Sequence, residues 1–104
     1  MKELVKLLNE LNLSQCSMDW DENIPDDIYV KFFENNHKEV ASGLDVERHR
    51  WYETSTIVIE INGKFLGINL VTDLFSENMD IEDTGEGIIF FEMQEINTIS
   101  YKEI

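Results

Sequence analysis

Thr56-Ile57-Val58-Ile59-Glu60-Ile61-Asn62-Gly63-Lys64-Phe65-Leu66-Gly67-Ile68 is the stretch that decides the fold. Ile57, Ile59 and Ile61 recur at every second position, the period of a half-buried strand. Asn62-Gly63 follows, and both central residues of a type I′ turn need positive φ, which Asn and Gly tolerate best. A two-residue loop then fixes the register: Ile61 faces Lys64, Ile59 faces Leu66 and Ile57 faces Ile68. The apolar residues of both strands fall on one face, as a sheet with a single buried side requires. The region is therefore predicted as an antiparallel hairpin with its core face defined.

Upstream the period changes. Leu4, Leu7, Leu8 and Leu11 lie at i, i+3, i+4 and i+7, while Lys2, Glu3, Lys6 and Glu10 fall off that stripe. This is the pattern of an amphipathic helix over residues 3–12. Ser14-Gln15-Cys16-Ser17 reads as a loop, and Trp20 is expected to tuck under the core. A second helix should begin near Asn23 to Pro25, because Pro suits a first turn and Asp26 and Asp27 complement the positive end of the dipole. Ile28, Tyr29, Phe32 and Phe33 give it an apolar face, and residues 35–38 look like its end. Residues 39–43 fit either a short third helix or an irregular connection. Trp51 and Tyr52 are expected to open the first strand.

Downstream, residues 72–87 read as a long acidic loop, residues 88–93 as a buried strand and residues 95–102 as a last strand. In that strand Ile96, Thr98 and Ser100 share one face, and Ile99 and Tyr101 the other. Two N-terminal helices followed by about four strands predict an α+β fold, with the helices packed on an antiparallel sheet. At 104 residues there is room for one domain, spanning 1–104. A chain of this size buries roughly 65% of its unfolded surface, enough to fold alone.

Charge is the unusual feature of the composition. Twenty-two acidic against eight basic residues leave −14. Such a field repels nucleic acid and anionic membrane surfaces, and it draws the protein toward a basic surface. Cys16 is the single cysteine, so an internal disulfide and a cysteine-based metal framework are both excluded. The N-terminus carries Glu3 and Glu10 and no long apolar run, unlike a signal peptide. A cytoplasmic setting is the expectation.

The candidate chemistry is sparse. His37, His49 and Cys16 have no local signature of a nucleophile and its base. The glycines lack the spacing of a phosphate loop. Asp80, Glu82, Thr84 and Gly85 match positions one, three, five and six of a calcium-binding EF-hand loop, but Phe91 stands where the bidentate Glu at position twelve is required. No cofactor, metal or catalytic residue is predicted, and the chain is expected not to be an enzyme.

The distribution of charge is more informative. No Lys or Arg occurs between Phe65 and Tyr101, whereas eight acids do, and six lie within residues 73–86: Asp73, Glu77, Asp80, Glu82, Asp83 and Glu86. A run of one sign can reach the Lys and Arg of a basic groove and echo the charge line of a nucleic-acid backbone. Phe75 and Met79 interleave with these acids as candidate apolar anchors. The opposite charge gathers in Arg48-His49-Arg50-Trp51-Tyr52, whose arginines are expected to pair with nearby acids.

Several of these motifs form a recognisable series. His49-Arg50-Trp51-Tyr52, Gly67 with Val71-Thr72-Asp73-Leu74, Ser76-Glu77 and Met79, Phe91-Glu92-Met93, and Thr98-Ile99-Ser100-Tyr101-Lys102 together resemble a family of small phage- and prophage-encoded proteins. The resemblance covers about residues 48–102 and brings no assigned activity, so no functional residues transfer with it. It implies a mobile-element setting, in which small acidic proteins often inhibit host defence enzymes, anti-CRISPR proteins being the best-known group. The expected function is thus a binder of a basic, nucleic-acid-binding host enzyme, acting as monomer or homodimer in the bacterial cytoplasm. The alternatives are an immunity protein against a cationic toxin and a small carboxylate-based metal-binding or enzymatic domain.

Overall fold

A computed structural model describes residues 1–97 and 100–104. Two helices, α1 (Lys2–Glu10) and α2 (Asp26–Phe32), precede five strands: β1 (His37–Arg48), β2 (Tyr52–Ile61), β3 (Lys64–Leu74), β4 (Ile89–Asn97) and β5 (Ser100–Glu103). The strands form one antiparallel sheet in the order β1-β2-β3-β4-β5, so every neighbour in space is a neighbour in sequence. The α+β class holds, with five strands where about four were expected.

The β2–β3 hairpin has the register that Asn62-Gly63 dictates. Ile61 faces Lys64, Ile59 faces Leu66 and Ile57 faces Ile68, and the turn residues sit at φ 50° and 80°. Ile57, Ile59, Ile61, Leu66, Ile68 and Leu70 form the core face, joined by Phe90 and Ile88. Each such side chain, fully buried, contributes about 1.5–3 kcal/mol of transfer free energy.

The extra strand is β1, which occupies the region left ambiguous between a third helix and a connection. Its register slips against β2 between Glu39 and Ala41, Ala41 and Leu44, and Leu44 and Glu47. Gly43 and Asp45 lie at φ 69° and 48°. Each bulge inserts an unpaired residue and shifts the side-chain alternation by one, so no period-two pattern survives in the sequence. At the other edge, the single strand expected over residues 95–102 is the β4–β5 hairpin, in which Glu95 pairs with Tyr101 and Asn97 with Ser100. No Gly or Pro signals that reversal, and alternation reads alike in both directions. The expected faces of Thr98 and Ile99 lie outside the described residues.

The helices serve the core unequally. α1 buries Leu4 and Leu8 and leaves Leu11 exposed at its C-cap. It ends where Asn12 takes φ 48°, a left-handed conformation Asn tolerates. α2 has no fully buried residue; Phe33, just beyond it, and Trp20, before it, supply the buried bulk. Trp20 meets Phe33 and His37 with ring centroids 5.3 Å from each, so the expectation that Trp20 underlies the core is met.

Two side-chain amides complete the sheet where strands part. Asn9 Nδ2 donates to Phe90 O (2.8 Å) and Phe90 N donates to Asn9 Oδ1 (2.9 Å). Gln15 Nε2 likewise donates to Val71 O (2.7 Å) and Val71 N donates to Gln15 Oε1 (2.7 Å). Each amide imitates a peptide group on a neighbouring strand; the Gln15–Val71 pair is buried and the Asn9–Phe90 pair partly so.

The second face of the curled sheet is also dry in places. Thr54, Thr56, Val58, Val71 and Met93 are buried there, and Asn69 Nδ2 donates to Thr56 Oγ1 at 3.1 Å. Gly67 lies between Val58 and Phe91 in the register, and the Phe91 ring rests on its bare Cα.

Candidate functional site

Residues 75–88 connect β3 to β4 at one end of the sheet. The segment is fastened along its length. At its start Phe75 N donates to Trp51 O (2.7 Å), in the β1–β2 turn. In its middle a 3₁₀ turn over Ile81–Thr84 ends at Gly85, whose φ of 70° closes the turn. Asp80 N donates to an oxygen of Asp83 at 3.0 Å, and Thr84 Oγ1 donates to Ile81 O at 2.8 Å. At its end Ile88 N donates to Leu13 O (3.0 Å) beside a bridge between Ser14 and Gly87. The acidic segment is thus a built loop, shorter than the expected 72–87, because β3 continues to Leu74.

The structure sorts the expected site residues into three groups. Glu77, Asp80 and Glu82 are exposed on the loop. Asp83 is exposed but committed to the backbone of Asp80, and the half-buried Glu86 accepts the Tyr52 hydroxyl at 2.7 Å. Asp73 stands apart on β3, opposite Glu53 of β2. Among the apolar candidates, Met79 is half-buried, whereas Phe75 is 39% exposed. Among the described residues, none of the six acids makes an ion pair; the three that exist join Lys6 to Glu10, Arg48 to Glu53 and His49 to Glu47.

The Tyr52–Glu86 contact changes the chemistry of the tyrosine. The hydrogen bond to Glu86 raises the Tyr52 pKa, desolvation adds to it, and the negative charges of Glu86 and Glu47 push the same way. Phenol and carboxylate are held together as long as the phenol keeps its proton.

Sequence reading missed how the arginines are used. Arg48 is 3.9 Å from Glu53, as an arginine paired with an acid should be, but its guanidinium also lies over the Phe75 ring, 4.7 Å from the centroid. Arg50 stacks on Trp51 at 4.8 Å, and His49 stacks on Tyr52 at 4.4 Å. Both arginines of the chain are therefore stacked on aromatic rings at the end of the sheet that carries the acidic loop. The signal available beforehand was the spacing Arg-x-Arg-Trp, which specifies proximity but not which ring each guanidinium chooses.

The residues weighed for a Cys–His pairing and for a calcium loop have these places in the fold. Cys16 is exposed, and its Sγ lies 3.8 Å from Glu22 O. His37 is turned into the aromatic cluster with Nδ1 2.7 Å from Phe33 O. The EF-hand-like residues are wound into the 3₁₀ turn, and among the described residues no group of three or more His, Cys, Asp or Glu is placed to hold a metal. A groove of about 620 Å³ runs between Asn9, Asn12 and Gln15 on one side and Glu82 and Glu86 on the other; the amides of Asn9 and Gln15 are already engaged on Phe90 and Val71. Among the described residues, no helix is long and apolar enough to cross a membrane.

Comparison with known proteins finds no matching family model, no matching curated protein and no matching solved structure.

Proposed function

We propose that this chain is a small inhibitor that binds the basic, nucleic-acid-binding surface of a bacterial defence nuclease and keeps DNA out of it. Residues 73–86 are its contact segment, standing in for a stretch of phosphate backbone. The reading places it in the bacterial cytoplasm, acting by binding and not by catalysis.

The observation that carries the proposal is a loop of carboxylates without counter-charges. Residues 65–101 contain no Lys or Arg, and Glu77, Asp80 and Glu82 are exposed. Internal hydrogen bonds already order the loop, so less conformational entropy is lost when it docks. Exposed carboxylates of this kind speed encounter with a basic groove, and their effect fades as salt shortens the reach of the field.

Affinity capture from a bacterial lysate at low and moderate salt tests this reading beside the variant Glu77→Gln, Asp80→Asn, Glu82→Gln. The variant keeps Asp83 and Glu86, which hold the loop together, and Asn caps a helical turn as well as Asp does. The expected result is a nucleic-acid enzyme retained by the native chain, lost with salt or with the variant, and blocked in DNA cleavage by the native chain. A partner held equally by both proteins refutes the loop as the contact.

A further inference from the structure

The groove of about 620 Å³ beside the acidic loop runs between the end of α1 with residues 12–15 on one side and residues 82–87 on the other. Its walls are tied together: Ile88 N donates to Leu13 O at 3.0 Å, and Ser14 bridges Gly87. The groove is therefore formed before a ligand arrives, which lowers the entropy lost in filling it. Ile88 and Ile89 give it an apolar lining, and Ile89 is 57% exposed.

Its polar lining favours one kind of ligand. The amide N–H groups of Asn9 and Gln15, donors that could hold an anion, are spent on Phe90 O and on Ser17 O and Val71 O. Asn12 and Ser14 can accept as well as donate. The opposite wall brings carboxylates. Glu86 accepts the Tyr52 hydroxyl through one oxygen, and among the described residues neither Glu82 nor Glu86 has a cation within ion-pair distance. Acceptors beside an apolar surface suit a ligand with several N–H donors, no acceptor and an aliphatic stem, which describes an arginine side chain.

Gly87 keeps the groove open. Its φ is not positive, unlike that of Gly85, so the backbone does not demand glycine there. A Cβ at residue 87 meets only Leu13 O, at 3.5 Å, an ordinary contact. A side chain at this position is therefore compatible with the fold, and it takes up space beside two lining residues.

We propose that this groove receives an arginine side chain of the basic partner, the guanidinium against Glu82 and Glu86 and the stem along Ile89. On the reading that residues 73–86 meet a nucleic-acid-binding surface, the groove takes an arginine that otherwise holds a phosphate, because a guanidinium pairs with carboxylate and phosphate in the same bidentate way. The other exposed carboxylates draw the partner in, and the groove fixes where it sits.

Titration of the isotope-labelled full chain with the peptide acetyl-Gly-Arg-Gly-amide, followed by amide chemical shifts at about 0.05 M salt, tests the proposal. A lysine counterpart and a citrulline counterpart, the latter keeping the shape without the charge, run beside it. The expected result is saturable shifts at residues 12–15 and 82–89 with a Kd of roughly 1–10 mM, at least threefold weaker for lysine and absent for citrulline. Residues 19–27 are an internal control, because Asp19, Asp21, Glu22, Asp26 and Asp27 are exposed there and none lines the groove. Gly87→Leu keeps every charge and should abolish the saturable shifts, whereas Glu82→Gln should weaken them at least threefold. The remaining resonances verify that each variant is folded. Shifts of equal size at residues 19–27 without saturation overturn the proposal, as does binding that survives Gly87→Leu. Saturation in the groove upholds it even where lysate capture returns no nucleic-acid enzyme. An enzyme captured through the loop of a chain whose groove ignores arginine refutes the groove and leaves the loop contact standing.

Discussion

Gly67→Ala adds one methyl group to the second face of the sheet, at a place already filled. A Cβ on residue 67 lies 2.5 Å from Cε2 and 2.8 Å from Cδ2 of Phe91, and 2.9 Å from Cγ of Met93. Non-bonded carbons rest at about 3.5–4.0 Å, so the ring must retreat by roughly 1 Å. Met93 is 2% exposed and offers little room. Overpacking of this kind costs about 1–3 kcal/mol. Against it stands the gain from replacing a strand glycine, about 0.5–1 kcal/mol. The net expectation is a loss of about 1–2 kcal/mol, which for a domain this size lowers Tm by roughly 4–15 °C. Thermal and urea unfolding followed by circular dichroism measure it. Phe91→Leu in the Gly67→Ala background should recover part of the loss by vacating the space above residue 67. A Gly67→Ala protein as stable as its parent refutes the packing argument, because no bare Cα would then be needed beneath the ring.

Other expectations rest on the loop, the amides and the charge. Gln15→Ala strips the buried N–H and C=O of Val71 of their partners; at about 1–3 kcal/mol for each unsatisfied group it should be among the more damaging single changes, and urea unfolding will show whether it is. The raised pKa of Tyr52 means its stabilisation is complete below about pH 10, the unfolded value, and is lost as pH climbs through the higher folded value. Tyr52→Phe should therefore flatten the alkaline fall in the urea midpoint, and an unchanged alkaline limb would contradict the Glu86 contact. Finally, with −14 charges and three surface ion pairs among the described residues, raising salt from roughly 0.05 to 0.5 M should raise Tm by screening self-repulsion. A Tm that falls with salt would mean that attractive pairs dominate.

Sequence alone determined the elements whose physics is local. The Ile57–Ile59–Ile61 alternation and the Asn62-Gly63 turn set a register that needs nothing from the rest of the chain. The α1 stripe and the burial of Trp20 follow from side-chain periodicity and size. The acidic stretch was legible as composition, since charge is additive along a chain.

Tertiary structure decided what depends on a partner distant in sequence. β1 is a strand only because β2 is there to pair with it, and its bulges erase the alternation that would announce it. The β4–β5 reversal carries no turn signal of its own. Which carboxylates stay free was likewise undecidable from the sequence: Glu86 is taken by Tyr52, 34 residues away, whereas the tie between Asp83 and Asp80 is local to one turn. Asn9 and Gln15 read as ordinary polar residues, yet each completes a strand edge that exists only after the sheet is assembled. A side chain's polarity is fixed by its own atoms, whereas its partner is fixed by where the chain folds.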